Sequence, residues 1–200
     1  MPDGDQIHGK ILRRYVRPYR QLCEGNLDEC VTSVQKVILR DLCKEGSGVF
    51  SVIEKVLLIF KSKENIGYFY SISEYRDIQR LMPSKTQRDL LDRSIARCSS
   101  DLHNPSISRK ESKLLLLTNY IKEHFDYHLR GKLHYIQEHH LGMSLAEVSS
   151  KVMIVESKLN SFYSSVAQKA VEKNSFSGIR IVQPKKLITM DENLLNPASF

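Results

Sequence analysis

No stretch of this 200-residue chain approaches the run of about 20 apolar residues that a membrane-spanning helix requires, and Met1 to Gly9 is too polar for a signal peptide. The expectation is a soluble, intracellular protein of the cytoplasm or nucleus. Cysteine is scarce: Cys23, Cys30, Cys43 and Cys98 include no Cys-x-x-Cys pair, so they read as small hydrophobes rather than zinc ligands or a disulfide framework. Also missing are the Gly-x-x-x-x-Gly-Lys-Ser/Thr phosphate loop, the Gly-x-Gly-x-x-Gly dinucleotide turn, the Gly-x-Ser-x-Gly elbow and the His-Glu-x-x-His metal motif. No cofactor is expected, and no catalytic signature is complete.

What is present is helical periodicity. Hydrophobic residues make up 41% of the chain, enough for a packed core. Leu145, Val148, Val152, Val155, Leu159, Phe162 and Val166 recur alternately three and four residues apart, which keeps them on one stripe of a helix. Ser144 and Glu147 form a capping box at its start. Run to about Glu172, this helix would be about 42 Å long at about 1.5 Å per residue, so it either spans a bundle or projects from it toward a partner. Its many serines lower intrinsic helicity, so packing must hold it.

The rest of the chain repeats this grammar. Ile7 to Cys23 reads as a helix ended by Gly25, with Pro18 inside it. Asn26 is placed to cap a second helix, whose stripe is Leu27, Val31, Val34, Ile38 and Leu42 and whose stop is Gly46 with Gly48. Val49 to Phe60 is apolar nearly all round and is expected at the middle of the domain. Ile66 to Ile72 is ambiguous. A short helix starts at Ser73 and stops at Pro83, and Ser84 with Gln87, then Ser108 with Glu111, box the starts of two more. From Asn174 the pattern changes, with Ile179 to Val182 a candidate short strand. The expected fold is all-α: a multi-helix bundle over residues 1–173, with a long C-terminal heptad helix and a flexible tail over 174–200 that a partner can order.

The 30 Lys+Arg against 23 Asp+Glu leave a net charge of +7, which favours phosphate-rich partners. Lys10, Arg13, Arg17 and Arg20 fall on one face of the first helix, broadened by Arg14, with Tyr15 or Tyr19 available to stack on a base or anchor at a lipid interface. The bland alternative is the solvated side of an amphipathic helix. Lys185 and Lys186 are secondary cations in the tail.

Five of the seven histidines lie between His124 and His140. His124 and His128, four apart, are the first positions to consider for a divalent ion, though no carboxylate or cysteine signature accompanies them, so no metal is expected. Arg97 and His103, in the stretch Arg-Cys-Ser-Ser-Asp-Leu-His, have a spacing that resembles the Arg-x(4–6)-His motif of helical ribonucleases of the HEPN class. That resemblance spans seven residues and departs from the family at Cys98, where a polar residue is usual. It would imply metal-independent RNA cleavage by an arginine and histidine paired across a dimer.

The functional expectation is a non-enzymatic binding or scaffold protein. Its basic N-terminal helix would contact nucleic acid, and the Leu145–Val166 helix and the tail would meet a protein partner or a second copy. A matrix-like protein apposed to an anionic membrane surface, the ribonuclease, and a purely structural subunit are the alternatives.

Overall fold

The computed structural model describes residues 16–62, 70–128 and 143–180. Among them are seven helices and no strand, so the all-α expectation holds. They are α1 (16–23), α2 (Leu27–Glu45), α3 (Gly48–Ser62), α4 (Ile72–Leu81), α5 (Lys85–Leu102), α6 (Arg109–His128) and α7 (Leu145–Lys173).

The boundaries follow from local chemistry. α1 closes in a Schellman turn: the Asn26 amide donates to the Gln21 carbonyl, the Gly25 amide donates to the Leu22 carbonyl, and Gly25 takes φ 82°. Asn26 sits at the N-cap position of α2, yet its side chain makes no capping bond. Ser71, rather than Ser73, caps α4, in a reciprocal box with Glu74. The Ser108–Glu111 box forms in both directions, and Ser84 and Ser144 each accept the amide three residues on. Gly46, at φ 70°, ends α2, but Gly48 does not share that role. It begins α3 and lies so close to the end of α4 that a Cβ there would collide with the Leu81 carbonyl oxygen.

The centre of the bundle belongs to α6. It packs against α2, α3, α5 and α7, and Leu116, Leu117, Tyr120, Ile121 and Phe125 are all fully buried. Val49 to Phe60, expected at the middle, takes a flanking position on α3, where Leu58 remains 53% exposed. An apolar helix with one greasy residue left over can lie at the side of a bundle; α6 is central because four neighbours consume its surface.

The heptad seam of α7 is used within the chain. Val148, Val152, Val155, Leu159, Phe162 and Val166 are buried, and the helix packs on α2 and α6. Two ion contacts fasten it to the first hairpin: Lys158 Nζ lies 2.6 Å from Asp28 Oδ1, and Lys151 Nζ donates to the Cys23 carbonyl at 3.3 Å. The opposite side of α7 is serine-rich and carries Met153, 64% exposed.

Chain packing continues past α7. Asn174 adopts a left-handed conformation at φ 50°, which turns the chain back. Phe176 then enters the core, its ring centroid 5.0 Å from that of Phe50, and its carbonyl accepts from Cys43 Sγ. A tail beginning at 174 therefore misses this docked turn. An aromatic three residues beyond the helix was the overlooked signal. Residues 179 and 180 are irregular, and the rest of the candidate strand, like the remainder of the tail, lies outside the described residues.

Replacing Gly48 with alanine should destabilise the fold by about 1–3 kcal/mol, because the colliding atom, the Leu81 carbonyl oxygen, belongs to the backbone and cannot rotate away. Urea denaturation checks this, and an unchanged midpoint would show that α3 and α4 can separate freely.

Candidate functional site

The surface of the α1–α2 hairpin is built by the same periodicity that buries its other side. Tyr19 and Leu22 of α1 point into the core, leaving Arg17 and Arg20 exposed. Val34, Ile38, Leu39 and Leu42 do the same for α2 and turn Lys36, Arg40 and Lys44 to solvent. These three lie on successive turns of one face. Between residues 34 and 44 the exposed side chains are Lys36, Arg40, Cys43 and Lys44. The two helices are joined by the Gly25 turn and by the Ser33 hydroxyl, which donates to Gln21 Oε1 at 2.7 Å. Arg17 is one turn from Gln21, and Lys36 and Arg40 are one and two turns from Ser33, so both cationic stripes run from a common hydrogen bond.

None of these five cations has a carboxylate partner among the described residues. Elsewhere several cations are neutralised. Lys55 and Arg80 both reach Asp77, Arg109 and Lys113 converge on Glu54, Lys122 faces Glu156, and Lys158 pairs with Asp28. Arg93 lies over the Tyr127 ring, 5.8 Å from its centroid. The other exposed and unpaired cations on helices α3 to α7 are scattered one to an element: Lys61, Arg76, Lys85, Lys110 and Lys173.

Tyr19 is 1% exposed and cannot stack on a base or rest at a lipid interface, which corrects that part of the sequence reading. It is the only aromatic residue between 16 and 45, so the hairpin has no stacking platform there. Lys10, Arg13, Arg14 and Tyr15, together with Lys185 and Lys186, lie outside the described residues. Lys36, Arg40 and Lys44 were missed from the sequence, although their four-residue spacing opposite the α2 apolar stripe was a visible signal.

The ribonuclease pair is separately employed. Arg97 Nε lies 2.5 Å from Glu123 Oε1, and its Nη2 lies 3.0 Å from Asp126 Oδ2, so its charge is met by two carboxylates of α6. Burial pushes the Glu123 carboxyl up from its usual range, against the opposing pull of Arg97. His103 caps α5, and its ring lies 4.7 Å from that of Phe60 at 51°.

His124 is in the core rather than on a ligand-ready surface. Its Nε2 lies 3.1 Å from Glu45 Oε1, and Tyr120 donates its hydroxyl to Glu45 Oε2 at 2.6 Å, with the Tyr120 and His124 rings edge to face. Glu45 and His124 have side chains only 4% and 3% exposed. Burial, then the adjacent Glu45 charge, raises the Tyr120 phenol well above its usual range. The side chain of His128 and the later histidines lie outside the described residues, and no set of three His, Cys, Asp or Glu side chains among the described residues can hold a metal ion. The cysteines carry no pairing: Cys30 and Cys98 are buried, with thiols pushed by burial up to about 12 and about 11, while Cys43 is exposed, unlike the buried position expected.

No helix among the described residues is long and apolar enough to cross a membrane. No protein-family model matches the chain, and neither a curated protein nor a solved structure does.

Two predictions concern the polar contacts. Tyr120→Phe leaves a buried carboxylate oxygen of Glu45 without its donor and should cost about 1–3 kcal/mol of stability. Chemical denaturation measures it, and a loss near zero would mean that Glu45 draws its support elsewhere. Glu54 offers a pH signature. Burial alone would raise its carboxyl, but Lys113 and Arg109 outweigh that and hold it below 4.5. A depressed folded-state value contributes stability above the unfolded value, lost as pH falls through the folded one. Glu54→Gln should therefore cost about 0.5–1 kcal/mol at neutral pH for this half-exposed group, with the gap to the parent closing as pH falls below the usual carboxylate range. Melts across that range would refute it if the gap stayed constant.

Proposed function

We propose that the protein is a non-enzymatic helical binding or scaffold protein that contacts nucleic acid through the basic side of its N-terminal helix and meets protein partners through α7 and the segment beyond it. One observation carries the reading: Arg17 and Arg20 are exposed and have no carboxylate partner among the described residues, whereas Lys55, Arg80, Arg97, Arg109, Lys113 and Lys158 on later helices each face one. Charge left unmatched on a folded surface is available to phosphate, and arginine meets phosphate with two parallel N–H donors. Lys10, Arg13 and Arg14 extend the same stripe in the sequence, with Lys185 and Lys186 as secondary contacts.

A protein partner on α7 would meet the side that bears Met153 and Ile154, since the heptad seam is already covered by α2 and α6.

Arg17→Gln with Arg20→Gln should weaken binding several-fold and reduce the dependence of log affinity on log salt by about 1.8 for a duplex, at about 0.9 per phosphate contact. Fluorescence anisotropy of labelled oligonucleotides measures both. Unaltered affinity with an intact helical signal would overturn the assignment of α1. Flotation with anionic vesicles tests the membrane-apposed alternative, which is favoured if lipid is bound and oligonucleotide is not.

A further inference from the structure

We infer that the exposed face of α2, formed by Lys36, Arg40 and Lys44, is a second phosphate-contacting surface that makes the α1–α2 hairpin a docking platform for duplex nucleic acid, read by its backbone and not by its base sequence. The inference rests on the nucleic-acid reading above and specifies its ligand.

Geometry comes first. The three cations occupy successive turns of one helix, so at about 1.5 Å per residue they form a row about 12 Å long. Phosphates of a duplex strand advance about 3.4 Å along the axis per nucleotide, so such a row spans about three or four of them. The row is held by a folded element: Val34, Ile38 and Leu42 beneath it are fully buried, and α2 packs on α6 and α7. A fixed row of charge suits a fixed row of phosphates, whereas a single strand must first be ordered against it.

Side-chain chemistry narrows the ligand further. Single-strand binding gains much of its strength from bases stacking on exposed aromatic rings. The hairpin's only described aromatic, Tyr19, is buried. Reading adenine or cytosine in the major groove uses amide or carboxylate side chains. The exposed positions between 34 and 44 are three cations and Cys43, with neither group among them. Lysine and arginine can also meet guanine edges, but an evenly spaced row of three cations with no other polar side chain among them is suited above all to phosphate, a contact that positions a protein on a duplex without selecting sequence.

The Ser33–Gln21 hydrogen bond and the Lys151 contact to the Cys23 carbonyl fix α1 on the bundle beside α2. Arg17 and Arg20 therefore flank the α2 row on the same rigid hairpin. Among the described residues, five exposed cations without a carboxylate partner on two adjoining helices contrast with one exposed and unpaired cation on each later helix.

The test uses the full-length protein with a mixed-sequence 20-base-pair duplex, its separated single strand and anionic vesicles. Lys36→Gln/Arg40→Gln/Lys44→Gln is compared with a control of equal charge change, Lys61→Gln/Arg76→Gln/Lys85→Gln. All six positions are exposed, and circular dichroism verifies the helical signal. The α2 triple should lose about tenfold or more in duplex affinity near 0.1 M salt, and its salt slope should fall by about 2.7, while the control changes little. A second duplex of scrambled sequence should bind equally. An α2 triple that binds like the parent, a control that loses as much, preference for the single strand, or discrimination between the duplexes overturns this inference while leaving the α1 reading standing. Failure of the parent to bind either nucleic acid, with or without vesicle binding, overturns both.

Discussion

The fold depends on α6 being buried on every side that its neighbours can reach. Leu117, Tyr120, Ile121 and Phe125 meet helices from both halves of the chain, so each of those helices must turn an apolar stripe inward and its polar stripe outward. Apolar burial contributes roughly 25 cal/mol per Å² removed from water, the largest favourable contribution to set against the conformational entropy lost on folding. The same enclosure takes Glu45, Tyr120 and His124 out of water, and their mutual contacts limit what that desolvation costs. This buried polar cluster fastens the end of α2 to the middle of α6.

Once the apolar stripes are committed, the outer charges sort by proximity. α3 to α7 lie close enough for Asp77, Glu54, Glu123, Asp126 and Glu156 to answer the cations opposite them. On the outer face of α2, Lys36, Arg40 and Lys44 meet no carboxylate among the described residues. Arg97 shows the converse. A spacing that resembles a ribonuclease motif falls where α5 and α6 are in contact, and there the guanidinium joins two carboxylates of α6.

Much of the architecture was legible in the residues themselves. The seam from Val148 to Val166, the Ser108–Glu111 box and the Pro83 stop depend on chemistry within a turn or two of helix. Where sequence reasoning went astray, a distant residue decided. Gly48 resembles a helix stop until the Leu81 carbonyl is brought against it, and the chain after Asn174 resembles a free tail until Phe50 receives Phe176. Tyr19 looked available for stacking because its neighbours are cationic, yet its place on the helix turns it inward.

The sequence by itself determined which segments are helical, where most of them begin and end, and which side of each is apolar, because capping and periodicity act over three or four residues. Only the tertiary structure decided that α6 is central, that the α7 seam closes against α2 and α6, and which of the described cations meet a counter-charge. Ion pairing and burial depend on what lies across space, up to 130 residues away in the case of Asp28 and Lys158, and no local pattern encodes that neighbour.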